Sequence, residues 1–295
     1  MTLAISNKKR SRLFASSPLW SLPGLPMALV FGACLVFLVV ISFFRPSVLS
    51  LFEPGFTMVN YIKAFTSPLY TKAIWLSVLY AVIATPIAAL IAYPMAFYIA
   101  RFAGRFKGFF IAIIVSVFLV TFVVKIFAWQ ILLQQNGPIA QFLYAIGITS
   151  EPESLVGTAT GVVIGLIYAP LPYMILAMLA SIEGLPRNLE HASAVCGATP
   201  LRTFFTVTLP LSMPGVVTSL LFGFALNVAA YIVPAMLGAG KVSMSGLVIQ
   251  RVSVGFGSIG GNWPLAAALS VQLLIVSMAF SSLLLKFFTG RRWRR

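Results

Sequence analysis

Six stretches of the chain run with no charged residue, or almost none: 25–44, 73–100, 109–132, 155–181, 214–237 and 264–285. Each is long enough to cross a hydrocarbon layer of about 30 Å, which takes roughly 20 helical residues. The runs are apolar continuously rather than at alternate positions, so they do not read as the strands of a barrel. Lipid offers backbone groups no partner, and a helix satisfies them locally. The pattern therefore predicts six transmembrane helices, an all-α integral membrane fold. Polar residues gather in the connectors 45–72, 101–108, 133–154, 182–213 and 238–263.

The first run follows Lys8, Lys9, Arg10 and Arg12, as a secretory leader would, and Phe31-Gly32-Ala33-Cys34 faintly resembles a lipoprotein cleavage box. Cleavage at Cys34 would leave half a span, so the run is read as a retained helix. Composition agrees with a membrane solvent. Of 295 residues, 60% are hydrophobic and 8% charged, where a soluble domain carries roughly 25% charge.

A net charge of +15 would suit nucleic acid, but the bases lie between apolar runs and form no basic domain. They read as topology signals, with no nucleic-acid partner. With the N-terminus inside, the inner segments hold thirteen Lys and Arg and the outer segments five: Arg45, Lys63, Lys72, Lys241 and Arg251. The inner set includes Arg101, Arg105, Lys107, Arg187 and Arg202. That bias predicts both termini in the cytoplasm. The expected organisation is a cytoplasmic segment 1–24, a transmembrane domain 25–288 with a cytoplasmic loop 182–213, and a basic tail 289–295.

Two spans carry small-residue seams. Ala84, Ala88, Ala92, Ala96 and Ala100 recur every fourth residue, as do Gly157, Gly161 and Gly165. Such repeats put small residues on one face and let helices approach closely. Pro86, Pro94, Pro170 and Pro172 fall inside predicted spans, where they produce kinks or hinges.

The loop 182–213 is the most informative segment. Pro186 suits the first turn of a short helix and Gly197 the residue just past its end, with positive φ. Leu189, Ala192, Ser193 and Cys196 fall at helical spacing and make one small-to-apolar stripe. Thr199-Pro200 reads as a cap and first residue of a second short helix, ended by Leu209-Pro210. An exposed short helix with a weakly apolar face is suited to docking in a partner's groove.

Gly197, nine residues, then Val207-Thr208-Leu209-Pro210 resembles the EAA loop of ABC-importer permeases, which has Glu-Ala-Ala, a short spacer, Gly, nine residues and Ile/Val-x-Leu-Pro. Leu211-Ser212-Met213-Pro214-Gly215 is similar to that family's run into the fifth span. Glu190-His191-Ala192-Ser193 aligns with the front of the motif, with His191 where Glu usually stands and Glu190 one residue earlier, about 100° round the helix. Lys125-Ile126-Phe127-Ala128-Trp129 with Asn136-Gly137-Pro138-Ile139, and Tyr93-Pro94-Met95-Ala96-Phe97-Tyr98, are similar to segments of the B-type permeases of spermidine/putrescine importers.

The resemblance implies a type I importer permease fold and a coupling helix seated in an ATPase cleft. It also implies a second permease subunit, two cytoplasmic ABC ATPase subunits and a periplasmic solute-binding protein as partners. Polyamine is the cargo it favours; opines, other amino-acid-like solutes and aminophosphonates are alternatives. The localisation it implies is the bacterial inner membrane.

Two roles fit Lys125, roughly 24 Å along its span: snorkelling to the outer edge, or lining the pathway with Trp129. Asn227 is costly in lipid and should face the bundle or the pathway, with Tyr231 one turn on sharing its face. His191 is either a solvated helix residue or a partner contact. Catalysis has little basis. The one His is predicted cytoplasmic while Ser243 and Ser245 are predicted outside, there is no Asp, and no metal-ligand spacing or phosphate loop is present. No cofactor is expected on this chain, and ATP and Mg²⁺ would belong to the ATPase. A stand-alone secondary transporter is the rival class; it would show inverted repeats and intramembrane carboxylates.

Overall fold

The computed structural model describes residues 24–47, 51–147, 151–255 and 261–289. The basic N-terminal segment and most of the C-terminal tail lie outside the described residues. Among the described residues the fold is helical, and its β-structure is one isolated antiparallel bridge between Arg45 and Glu53.

The helices are α1 (Gly24–Ser42), α2 (Val59–Thr66), α3 (Pro68–Arg101), α4 (Lys107–Leu119), α5 (Phe122–Leu133), α6 (Pro138–Ala145), α7 (Ala159–Tyr168) and α8 (Leu171–Glu183). They continue with α9 (Asn188–Val195), α10 (Pro200–Thr203), a π-helical turn (Phe204–Thr208), α11 (Leu209–Val228), α12 (Ile232–Leu237), α13 (Ser245–Val254) and α14 (Trp263–Thr289). The predicted connectors 45–72, 133–154 and 238–263 therefore contain helices of their own. Four described helices are long and apolar enough to cross a membrane: α3, α7 running on into α8, α10 running on into α11, and α14. This is a multi-pass membrane protein.

At the centre, α3 packs against α8 and α11, which also pack on each other. The alanine periodicity explains the contact. Ala84, Ala88, Ala92 and Ala96 are all fully buried, and Met174, Ile175, Met178, Leu179 and Ile182 of α8 lie against the last three. Pro86 and Pro94 do not interrupt α3, which runs 34 residues. Helix α1 packs on α14. Its C-terminal carbonyls are closed by Asn60, buried, whose Nδ2 donates to Ser42 O and Phe44 O at 2.9 Å each.

The predicted span 109–132 is not one helix. Residues Val120 and Thr121 are extended, and the segments 104–119 and 122–145 meet at 96°. No proline or glycine lies at the break. The local sequence is β-branched (Val117, Val120, Thr121, Val123, Val124), which lowers helix propensity, and tertiary packing decides the path. Segment α5 leaves the α3–α8 bundle and packs on α12, where Ile126 and Leu133 are fully buried with Val233 and Leu237.

The glycine seam is also corrected. Gly157 precedes α7 at φ +85° and is not on a helix face. Gly161 packs against the carbonyl of Leu155, in the stretch that leads into α7. Only Gly165 makes the close helix approach, where a Cβ would lie 2.6 Å from Leu237 Cδ1 and 2.7 Å from Val233 Cγ1. The fifth span is shorter at its far end than predicted: α11 stops at Val228, and α12 follows after Ala229-Ala230-Tyr231.

Candidate functional site

The loop between α8 and α11 folds as a compact helical unit. Helix α9 starts at Asn188, two residues later than expected, with the Pro186 carbonyl accepting from Leu189 N at 3.2 Å. Its end is a complete Schellman motif. Gly197 N donates to Ala194 O at 2.9 Å and Ala198 N to Ser193 O at 3.1 Å, with Gly197 at φ +79°. That bond pair needs the left-handed conformation glycine adopts without steric cost. Thr199 caps α10, its side chain accepting from Arg202 N.

Pro210 does not end the second helix. Leu209 N donates to Phe204 O, five residues back, so the chain widens into a π turn and runs on as α11. The wider turn answers the two demands of Pro210: it lacks an N–H, and its ring would crowd the carbonyl four residues earlier. Val207, Leu209 and Pro210 thus form the joint between the loop and the fifth span.

No residue of α9 is buried, yet its faces differ. Glu190 turns inward. Its Oε1 accepts from Arg101 Nε at 2.9 Å and from Thr208 Oγ1 at 3.2 Å. Ser193 also turns inward, its Oγ 3.0 Å from Thr203 Oγ1. The predicted stripe is therefore split. His191, Ala192, Val195 and Cys196 are exposed, as is Leu189, and Leu201 of α10 extends the apolar surface.

The loop is tied to the bundle at further points. Arg101 donates a second bond to Leu185 O at 3.3 Å, Arg187 reaches Ala100 O at 3.4 Å, and Lys107 pairs with Glu183 at 2.8 Å. Deeper in the bundle, the Tyr93 and Ser212 hydroxyls lie 2.8 Å apart, joining α3 to α11. Arg101, Lys107 and Arg187, three of the inner-segment bases, thus lie together at the loop's end of the bundle.

The predicted pathway residues are dispersed. Lys125 sits at the bend, half-buried, and its Nζ donates to Val117 O at 3.0 Å. In an unbroken helix that carbonyl would accept from Thr121 N. The ammonium replaces the lost donor, which matters where an unsatisfied group in lipid costs several kcal/mol, and a cation suits a helix C-terminus. Trp129, one turn on, packs on Tyr168 with ring centroids 5.5 Å apart.

Asn227 is fully buried and donates from Nδ2 to Thr85 Oγ1 at 3.1 Å, an interhelical bond between α11 and α3. Tyr231 does not share its face: it lies in the break after α11 and is exposed. Arg101 and Thr208 were not singled out in the sequence. Arg101 lies 89 residues from Glu190, and only the fold brings them together.

Residues 71–295 match the family described as binding-protein-dependent transport system inner membrane component. The chain belongs to this family. The spermidine/putrescine transport system permease protein PotB of Haemophilus influenzae is 30% identical over 220 residues, 75% of each chain. PotB of Escherichia coli is likewise 30% identical, over 75% of this chain and 78% of its own. The sulfoquinovosyl glycerol transport system permease protein SmoG of Agrobacterium fabrum is 25% identical over 88% of this chain and 87% of its own. Among solved structures, a bacterial ABC transporter that imports alginate matches with TM-score 0.62 at 17% identity, covering all of both chains. The MetNI methionine ABC transporter matches with TM-score 0.55 at 18% identity, over 76% of this chain and all of its own. The fold is that of ABC transporter permeases.

Proposed function

We propose that this chain is one permease subunit of an ATP-driven importer of the bacterial inner membrane, with six spans and both termini in the cytoplasm. The bent α4–α5 pair counts as the third span and α1 as the first. The observation that carries the reading is the loop 186–208. In a member of the binding-protein-dependent family, this helix stands off the bundle, is rooted to α3 and α11, and shows a bare outward face. The loop docks in an ATPase cleft, one ATPase under this chain and one under its permease partner. A periplasmic binding protein delivers the solute. Hydrolysis of ATP belongs to the ATPase subunits, and this chain does no covalent chemistry.

Alternating access then arises when ATPase closure displaces α9 and the closely packed α3–α8–α11 core carries the shift across the membrane, since packed helices move as rigid bodies. Lys125, Trp129, Asn227 and Tyr231 are the assigned candidates for the pathway. Of these, Lys125 and Trp129 share one face of the bent span.

Polyamine is the favoured cargo, on the similarity to the spermidine/putrescine permeases. A second reading, an opine, amino-acid-like or aminophosphonate solute, is favoured by one feature. The bend carries an ammonium at Lys125, and no carboxylate among the described residues lies in the interior of a span. A polycation would gain from acids or aromatic faces, whereas an anionic group would gain from Lys125. In proteoliposomes holding the complete transporter and its binding protein, labelled spermidine should accumulate only with ATP and with the ATPase present. Accumulation of an acidic or zwitterionic solute in its place would select the second cargo reading. Uptake driven by an ion gradient without the ATPase would reject the importer reading altogether.

A further inference from the structure

Helix α9 turns its one acid, Glu190, away from its exposed side. Glu190 faces the bundle, held by two donors from two different elements: Arg101 at the end of α3 and Thr208 in the turn that leads into α11. The Arg101 side chain is only 8% exposed. It also spans two acceptors, Glu190 and the Leu185 carbonyl, which lie on either side of the start of α9. A guanidinium fork holding two acceptors fixes direction as well as distance, and a charge-assisted bond shielded from water is among the stronger contacts a surface loop can make. The exposed residues of α9, among them His191, Ala192 and Val195, contribute nothing to this arrangement. They are exposed and lie on other sides of the helix.

We propose that the two faces of α9 divide the work, an inference that rests on reading the loop as the ATPase-docking element. The outward face holds the ATPase. The inward face passes displacement of α9 to the spans: Glu190 pushes and pulls Arg101, and so α3, while Thr208 brings α11 along. Arg101 and Glu190 are positioning residues; they act on solute and nucleotide only through the helices they hold. The alanine stripe extends the consequence. From Arg101, α3 runs back 34 residues, and its Ala88–Ile99 part packs closely on α8, so a shift at its Arg101 end is not absorbed locally.

The test uses the complete reconstituted transporter with Glu190→Gln, Arg101→Gln and the exchange Arg101→Glu/Glu190→Arg, and reads three quantities: ATPase retained through purification, ATP hydrolysis, and uptake. Each single variant should retain the ATPase and hydrolyse ATP. Uptake per ATP should fall about ten-fold or more, the scale of one lost charge-assisted hydrogen bond. Arg101→Lys, which keeps the charge but loses the planar fork that fixes direction, should be intermediate, and the exchange should recover uptake relative to either single variant. Loss of the ATPase in Glu190→Gln but not in Arg101→Gln would make Glu190 a partner contact and overturn the division of faces. Unchanged uptake per ATP in both single variants, or an exchange no better than they are, would overturn it too. Ala192→Arg reports separately on the underlying reading. If it keeps the ATPase bound, the docking assignment itself fails, whatever the strut variants do.

Discussion

Replacing Gly197 by Val should cut uptake ten-fold or more while leaving the chain inserted in the membrane. The glycine holds φ +79°, and a Cβ built there meets nothing within 4 Å. The penalty is therefore one of backbone conformation, not of crowding. A left-handed residue costs roughly 1–2 kcal/mol for an ordinary L side chain and more when it is β-branched. The Schellman bonds at Gly197 and Ala198 set the angle between α9 and α10, so relief of the strain would re-aim the docking helix. The spans are held by lipid burial and by the α3–α8–α11 contact, which the loop does not supply. Gly197→Asn, which tolerates the left-handed region, should keep most uptake. Gly197→Val should lose ten-fold or more and co-purify less ATPase. Equal transport by the two variants would show that the turn does not set the docking geometry.

A second large effect is expected at Gly165. A leucine there drives its side chain into Val233 and Leu237 of α12, the buried helix on which α5 also packs. Overpacking a tight core costs about 1–3 kcal/mol per site. Here the two neighbours are both fully buried, so the upper part of that range applies. Thermal unfolding in detergent should shift down by several degrees and the yield of assembled complex should drop. Gly32→Leu is the control: a Cβ at Gly32 meets nothing within 4 Å, so unfolding should be unaffected. If the two substitutions behaved alike, the α7–α12 contact would not be a stabilising seam.

These two sites show what could be read from the sequence and what could not. Gly197 was legible because helix endings have local chemistry: a glycine after a short amphipathic run, followed by Thr-Pro, signals an end and a restart. The alanine stripe was legible because the helix period alone defines its face. The glycine stripe misled because periodicity is blind to where a helix begins. With α7 starting at Ala159, Gly157 falls outside it and Gly161 faces the chain that leads into it. The bend at 119–121 carries no proline, and a β-branched run lowers helix propensity without dictating a break. Packing of α5 on α12 and the bond from Lys125 to the Val117 carbonyl decide it, and neither is local. Lys125 was marked by its cost in lipid, but its partner was not foreseeable. The Arg101–Glu190 pair was hidden for the same reason. The positive-inside count registered Arg101 only as a charge, and its partner stands 89 residues away.

Cys196 offers the most direct test of the central claim, that this loop seats in the ATPase. It is exposed on the outward side of the loop, and the other cysteine, Cys34, lies in α1 and can be replaced by Ser. With Cys34→Ser in the assembled transporter, a benzophenone maleimide attached at Cys196 should, on irradiation, form an adduct with the ATPase subunit, and Ala192→Arg should suppress it. No ATPase adduct from Cys196 in a complex that still transports would contradict the account.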